Sequence, residues 1–352
     1  MIYIYVNGEH MKCIMKKSNS EGLVLEDMPI PTIKNDEVLV KVKAASICGS
    51  DHHIYKWNRW AQSRLKLPVI IGHEFSGEVI EVGSAVKRIK VRDYISAESH
   101  IPCCICKQCR IGNMHVCQNL KILGIDTNGC FAEYVTLPET VVWVNDNSLS
   151  IEHASIQEPF GNAVDTVLAE DVHTKSIAVL GCGPIGLMAV AIAKACGASI
   201  IIATEIVSYR MNLARQLGAD YVLNPKECNV YEEVMKITGN EGVDVVLEMS
   251  GAPKALETGL RILTFGGRVS LLGLFSDPVE LELNNSVIFK GARIHGIVGR
   301  KMFPTWYKTA ALIGKKMVNI APLITHTFPM ESFNEAMQLI DRGESGKIVL
   351  YP

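Results

Sequence analysis

The sequence predicts an α/β chain of two domains, one β-rich and one built on a doubly wound parallel sheet. Three observations carry this expectation. The length of 352 residues exceeds one ordinary core and suits two domains of about 150 residues each. Before Glu158-Pro159 the apolar stretches are short, β-branched and punctuated by Gly, Pro and Asn; beyond it, strand and helix patterns alternate, as right-handed crossovers require. The first strand pattern of that second half then runs straight into a glycine-rich turn and an alanine-rich helix.

Taken in order, residues 1–10 precede the periodic pattern, and Ile2 to Val6 reads either as an extra edge strand or as a frayed extension. Strands are expected at Val38 to Lys43, Glu78 to Val82 and Phe131 to Val135, where β-branched residues concentrate. A helical pattern follows over Asn162 to Glu170. Six further strands are expected at Ile177 to Leu180, Ile200 to Ala203, Tyr221 to Leu223, Val243 to Leu247, Arg268 to Leu272 and Arg293 to Ile297, enough for a complete dinucleotide-binding sheet. After Arg300 come helical patterns over Trp306 to Lys315 and Glu331 to Arg342, then a last strand at Lys347 to Tyr351. The expected division is therefore 1–160 for the first domain, with 300–352 returning to it, and 161–299 for the second.

Charge and composition exclude several partners. Lys and Arg number 35 against 37 Asp and Glu, a formal net charge of -2, so the chain lacks the basic excess that nucleic acid or an anionic membrane selects. With 48% hydrophobic and 20% charged residues, it has ample apolar mass for two cores and is not a disordered chain. The longest uncharged run, Ile177 to Ala193, approaches the roughly 17 to 25 residues of a membrane span, but glycines and a proline interrupt it. The N-terminus lacks the basic, apolar and small-residue pattern of a secretory signal, so the 11 cysteines are expected to be reduced and the chain cytoplasmic.

The turn after Ile177 to Leu180 is Gly181-Cys-Gly183-Pro184-Ile185-Gly186. Its first glycine suits a tight turn, its second leaves room for a pyrophosphate against the backbone, and its third lets helix approach strand. Strand, turn and helix occur in the required order, and Glu205 stands at the end of the next strand, where a carboxylate accepts from both ribose hydroxyls and repels a 2'-phosphate. NAD is therefore expected over NADP. Arg210 complicates that preference, because a guanidinium there could receive a phosphate. A glycine turn without any ligand is the plainer alternative.

Two metal sites are also indicated. Cys103, Cys106, Cys109 and Cys117 give C-x2-C-x2-C-x7-C, four thiolates for one tetrahedral zinc with no open position, hence a structural site. A redox switch is the rival reading, and Cys104 stands beside the series as a bystander. The second set is sparser: Cys48, the adjacent His73 and Glu74, and Glu158. Singly, each is more often a packed residue than a ligand. Together they offer thiolate, imidazole and carboxylate to a zinc with a position left for an alcohol, whose pKa the metal would lower.

With these residues assembled, the chain from about Met11 onward resembles the zinc-dependent medium-chain alcohol dehydrogenases. The stretches His53 to Trp60, Glu158 to Ala163, Leu247 to Pro253 and Gly299 to Tyr307 are similar to the threonine-oxidising branch of that family. The resemblance implies a GroES-like catalytic domain interrupted by a Rossmann domain, with one catalytic and one structural zinc per chain. It places Cys48, His73 and Glu74 at the catalytic zinc, with Glu158 as an exchangeable ligand where the alcohol dehydrogenases carry a second cysteine. Ser50, in a position usually held by Thr, and His53 match the hydroxyl and imidazole that pass the substrate proton to solvent through the nicotinamide ribose. His100 matches a histidine of substrate selection, and Arg300 an arginine near the cofactor; the plainer alternatives are a surface-loop histidine and a surface charge. Trp57 and Trp60 either wall the pocket or pack against a loop.

The activity implied is NAD-dependent oxidation of L-threonine at its β-carbon to 2-amino-3-ketobutyrate, in a homotetramer, with a small molecule rather than nucleic acid or membrane as partner. A sorbitol- or butanediol-type dehydrogenase shares the ligand set and is the near rival; a non-catalytic NAD-binding protein is the rival of another class. Two departures from the family pattern stand out: residues 1–10 have no counterpart, and Val91-Arg92-Asp93-Tyr94 replaces a Gly-Asp-Arg-Val type of turn.

Overall fold

The structure, a computed structural model, describes residues 10–352, so the Ile2 to Val6 stretch lies outside the described residues. The chain forms two units. One holds the residues up to Pro159 together with Ile324–Arg342 and Lys347–Pro352; the other holds Phe160–Leu323 with Gly343–Gly346. The return to the first unit thus begins at Ile324, later than the expected 300. Packing accounts for the difference, since Arg300 and Trp306 are buried within the second unit, and Ala321–Leu323 packs on the helices Pro184–Ala195 and Ser208–Gln216.

In the first unit, Glu37–Ser46 is the central strand of a larger sheet. It pairs with Glu74–Val82 on one side, and on the other with Tyr134–Pro138 along its first half and Lys347–Tyr351 at its end. Val38, Val40 and Val42 point from it into the core that Phe75, Val79 and Phe131 complete, the period of two that a strand imposes. The register sets Ser46 opposite Glu74 and Val349 opposite Ser46, so three strand ends meet at one place. A smaller sheet pairs His10–Lys16 with Val24–Pro29 and Val69–Ile70. Those first two strands carry no β-branched run and gave no strand signal in the sequence.

In the second unit the six strands are all parallel, in the order Tyr221–Leu223, Ile200–Thr204, Ser176–Leu180, Val243–Glu248, Leu263–Leu271, Arg293–Gly296. This is the doubly wound order, with its reversal between Ser176–Leu180 and Val243–Glu248. Most bounds fall within two residues of expectation; Leu263–Leu271 starts five residues before Arg268 because its first residue already pairs with Val243. The helix expected at Asn162 to Glu170 runs Gln157–Val167, one turn earlier, which places Glu158 in its first turn.

Candidate active site

Cys48 immediately precedes the helix Gly49–Tyr55, and its backbone N–H donates to Asp51 Oδ2 at 2.9 Å. That bond, with Asp51 fully buried, fixes how the helix leaves the strand end. His73 and Glu74 arrive from the neighbouring strand's start. The structure brings one donor atom each of Cys48, His73 and Glu74 within 4.8 Å of one another. His73 Nδ1 and Glu74 Oε1 are buried and lack a hydrogen-bond partner, as does Asp51 Oδ1, which lies 3.8 Å from His73 Nδ1. Buried polar atoms in native proteins are nearly always satisfied, so this cluster fits a cation. Its electrostatics agree: burial pulls the His73 pKa down, yet the Cys48 thiolate and Asp51 carboxylate outweigh it and hold the imidazole well above its ordinary value.

The other Glu74 oxygen is taken. Glu74 Oε2 accepts from Ser46 Oγ and from the buried Lys347 Nζ, which also donates to Ile47 O at 2.7 Å. Glu74 thus has one oxygen on a buried ammonium and the other without a hydrogen-bond partner. Glu158, 4% exposed, accepts from Ser99 Oγ at 2.6 Å and adds to the negative field on His73. It stands beside the Cys48, His73 and Glu74 group without belonging to that closest set of donors.

His100 is buried at the start of the strand His100–Ile101, its N–H donating to Glu98 Oε1 at 3.0 Å, with Nδ1 3.4 Å from the same oxygen. It is not a surface-loop histidine. Ser50 and His53 share one face of the helix Gly49–Tyr55, three residues apart. Ser50 is half-buried and His53 exposed, which grades the pair from inside to outside. Trp60 stands edge-on to His53 with ring centroids 6.3 Å apart, while Trp57 lies under the Lys16 ammonium at 4.9 Å.

The four lobe cysteines converge. Sγ separations are 3.5 Å for Cys106 and Cys109, 3.8 Å for Cys106 and Cys117, and 3.4 Å for Cys103 and Cys117. Four sulfurs around a tetrahedral ion at about 2.3 Å stand about 3.8 Å apart, so the spacing fits zinc and is far too long for a disulfide. Backbone N–H groups of Ile105 and Cys106 aimed at Cys103 draw its pKa down to about 6, favouring the thiolate that metal needs. Cys104, exposed, is outside the cluster.

In the second unit, Gly181 has φ +93°, and a Cβ on Gly186 would come within 2.0 Å of Gly181 O; neither position admits a side chain. Gly183 faces open space and caps the helix Pro184–Ala195 without a side-chain bond, leaving the first-turn N–H groups and the helix dipole available to an anion. Glu205 is held at the end of Ile200–Thr204 by N–H groups of Cys182, Ile206 and Val207 at 3.0, 2.7 and 3.0 Å. Arg210 Nε donates to Ser345 O at 3.3 Å. A cavity of about 580 Å³ opens beyond the strand ends, lined by Thr204, Pro225, Tyr231, Ala252 and Arg261 among others, in the size range of a nucleoside. Arg300 is fully buried, its Nη1 donating to Asn162 Oδ1 at 2.6 Å and its guanidinium 5.9 Å from the Trp306 ring. The surface-charge alternative is excluded.

Lys347 and Ser46 carry no signal of their role at Glu74 in the sequence. Asp51 left a legible signal, an acidic residue three positions after the residue preceding a helix; Lys347, 273 residues from Glu74, left none.

Comparison with known proteins agrees with this geometry. The zinc-binding dehydrogenase family matches residues 184–315, and the alcohol dehydrogenase GroES-like domain matches residues 34–146. An L-threonine 3-dehydrogenase of Pyrococcus horikoshii is 50% identical over 343 residues, 97% of this chain and 99% of its own length. One of Bacillus subtilis is 50% identical over 342 residues with the same coverage. Among solved structures, 2R,3R-butanediol dehydrogenase from Bacillus subtilis superposes with TM-score 0.87 at 29% identity, covering 97% of this chain and 99% of that one. An alcohol dehydrogenase of Escherichia coli complexed with NADH does so with TM-score 0.90 at 27% identity, covering 98% and 100%. By two matching domains and relatives about half identical along nearly the whole chain, this protein belongs to the zinc-dependent medium-chain alcohol dehydrogenase family.

Proposed function

We infer that this enzyme oxidises L-threonine at its β-carbon to 2-amino-3-ketobutyrate, with NAD reduced to NADH. The observation that carries the reading is the convergence of Cys48, His73 and Glu74, two of which carry a buried polar atom without a hydrogen-bond partner, in a chain half identical to L-threonine 3-dehydrogenases over 97% of its length. Cys48, His73 and Glu74 would hold the catalytic zinc, with Glu158 in reserve; Cys103, Cys106, Cys109 and Cys117 would hold the structural one. When bound, zinc supplies the Lewis acidity that makes the substrate hydroxyl acidic, and NAD supplies the hydride acceptor.

The chain's own residues do the rest. Ser50 receives the hydroxyl proton and hands it outward toward His53, whose exposure opens to water. Partial burial and the neighbouring His52 lower the His53 pKa, which favours the neutral imidazole that a base requires. Lys347 anchors Glu74 and thereby keeps its free oxygen aimed at the site. Glu158 and His100 are the buried groups proposed to partner the substrate ammonium, a role that a neutral diol would not call on. Gly181, Gly183, Pro184, Ile185 and Gly186 would form the pyrophosphate turn and Glu205 would select the unphosphorylated ribose, with Arg210 the guanidinium near that ribose and Arg300 a second arginine near the cofactor. The reading also includes a cytoplasmic homotetramer. Its support is that all eleven cysteines are free and that the last sheet strand, Arg293–Gly296, carries an exposed Ile294 at the sheet's end.

The test is a comparison of kcat/KM for L-threonine, sorbitol and 2,3-butanediol under identical conditions. Threonine should lead by at least about a hundredfold, as expected when polar groups of the site recognise charged groups of the substrate. A lead for the neutral diols keeps the zinc chemistry and overturns the substrate.

A further inference from the structure

The turn that follows the helix Gly49–Tyr55 leads into a second short helix, Arg59–Arg64, and Asn58 sits between them as its N-cap. Asn58 Oδ1 accepts from the Ala61 N–H at 3.0 Å, and Asn58 Nδ2 lies 3.1 Å from His53 Nδ1. The cap settles which way the amide points, because turning it over would set an NH2 group against a backbone N–H. An amide nitrogen can only donate. The atom it meets must therefore accept, and in a neutral imidazole the accepting nitrogen is the one without the proton.

We propose that Asn58 is a positioning residue that fixes His53 as its Nε2–H tautomer and keeps the Nδ1 lone pair engaged. The helix cap thus does a second task. The ring presents an N–H at its far end, and it can gain a proton only at Nδ1, by giving up the Asn58 bond. A hydrogen bond to the neutral form disfavours the charged one. Asn58 accordingly holds down the proton affinity of His53 in the same direction as its partial burial and the nearby His52.

The ionisable side chains of His52 and Lys56, on either side of His53 in the sequence, have carboxylate partners. His52, 6.4 Å away between ring centroids, bonds Asp341 at 2.8 Å on the helix Phe333–Arg342. Lys56 is shared between Asp341 and Glu21 at 2.8 and 2.9 Å. Trp60, edge-on to His53, carries no charge. Asn58 is the partner the structure gives to Nδ1.

The inference rests on His53 being the outer proton carrier, and the experiment separates the two claims. Asn58→Asp keeps an oxygen for the Ala61 N–H but sets an acceptor against Nδ1; Asn58→Ser keeps the cap and removes the contact. Nitrogen NMR on enzyme labelled with [15N]histidine, with His53 identified by its loss in His53→Gln, reads the tautomer, and the pH profile of kcat/KM reads the base. Wild type should show the proton on Nε2. Asn58→Asp should move it to Nδ1 and raise the His53 pKa by about one unit, a tenfold gain in proton affinity, carrying the acidic limb of the profile with it. Asn58→Ser should give mixed tautomers at an unchanged melting temperature. A wild-type proton on Nδ1, or a pure Nε2–H tautomer persisting in either folded variant, overturns the proposal. An inverted tautomer in Asn58→Asp with an unmoved pH profile upholds the role of Asn58 and removes His53 from the proton path.

Discussion

Cys48 joins three properties in one residue: it lies two residues past a strand end, it immediately precedes a helix, and its sulfur converges with an imidazole nitrogen and a carboxylate oxygen. Replacing that sulfur leaves the packing intact but removes the soft ligand. Cys48→Ser should therefore melt within about 1 °C of wild type, a shift that corresponds to less than about 1 kcal/mol in a chain this size, while kcat falls by more than about a hundredfold. Retained turnover in the serine variant would remove Cys48 from the catalytic metal. A second residue carries a different cost. Arg92, in the turn that departs from the family pattern, adopts φ +78°, a region that glycine enters freely and arginine does not. Arg92→Gly should raise stability by about 0.5 to 1 kcal/mol, seen as a higher urea midpoint at unchanged slope. An unchanged or lower midpoint would show that the turn relieves the strain another way. At this scale the sequence was legible wherever a motif is local. Gly181 to Gly186 and the four lobe cysteines are each contained in a short window whose spacing dictates the geometry. Lys347, Ser46 and Asn58 carried no such signal, because their roles depend on which strand ends and turns meet in space.

The lobe is an element with little apolar core of its own; Ile105 is 78% and Ile111 59% exposed, so the four thiolates must hold it through metal. Chelation should lower the melting temperature of wild type, and Cys109→Ser should start at that lower value and respond little. Equal melting of wild type and Cys109→Ser would contradict a structural zinc. At the far edge of the parallel sheet, Glu170 bridges Arg293 at 2.9 and 3.0 Å and His295 at 2.8 Å, and the Arg293 hydrogen bonds draw its pKa down to about 2. A carboxylate depressed in the folded state stabilises fully above its unfolded value near 4 and loses that contribution as pH falls toward 2. Glu170→Gln should flatten the acid limb of stability in that window, measured by urea midpoints at pH 5, 4 and 3; parallel curves for the two proteins would mean the bridge contributes nothing. Most strands of the parallel sheet were legible to within a residue or two, because its central strands are buried and their apolar runs continuous; Leu263–Leu271, which starts five residues before Arg268, was the exception. The strands His10–Lys16 and Val24–Pro29 were not, since lysine, cysteine and methionine there mask the alternation that burial reveals.

Across the whole molecule, the two-part organisation follows from a change in pattern at Glu158-Pro159, and the six-stranded order from strand–helix alternation with right-handed crossovers. The placement of 300–323 did not follow, because a helix pattern such as that of Pro304–Gly314 states which face is apolar but not which unit receives it. The catalytic set shows the same divide. Residue types pointed to a zinc site only in combination, and the register of Glu37–Ser46 with its neighbours is what makes the combination physical. The chemistry proposed for this site is transfer of hydride from the β-carbon of L-threonine to NAD. The most direct measurement is turnover of L-threonine carrying deuterium at that carbon by the zinc-loaded enzyme, with the reduced cofactor examined by mass spectrometry. NADH one mass unit heavier, formed from NAD in preference to NADP and equal in amount to the amino ketone, is the result predicted; NADH without deuterium, or none formed while a neutral diol is oxidised, would contradict it.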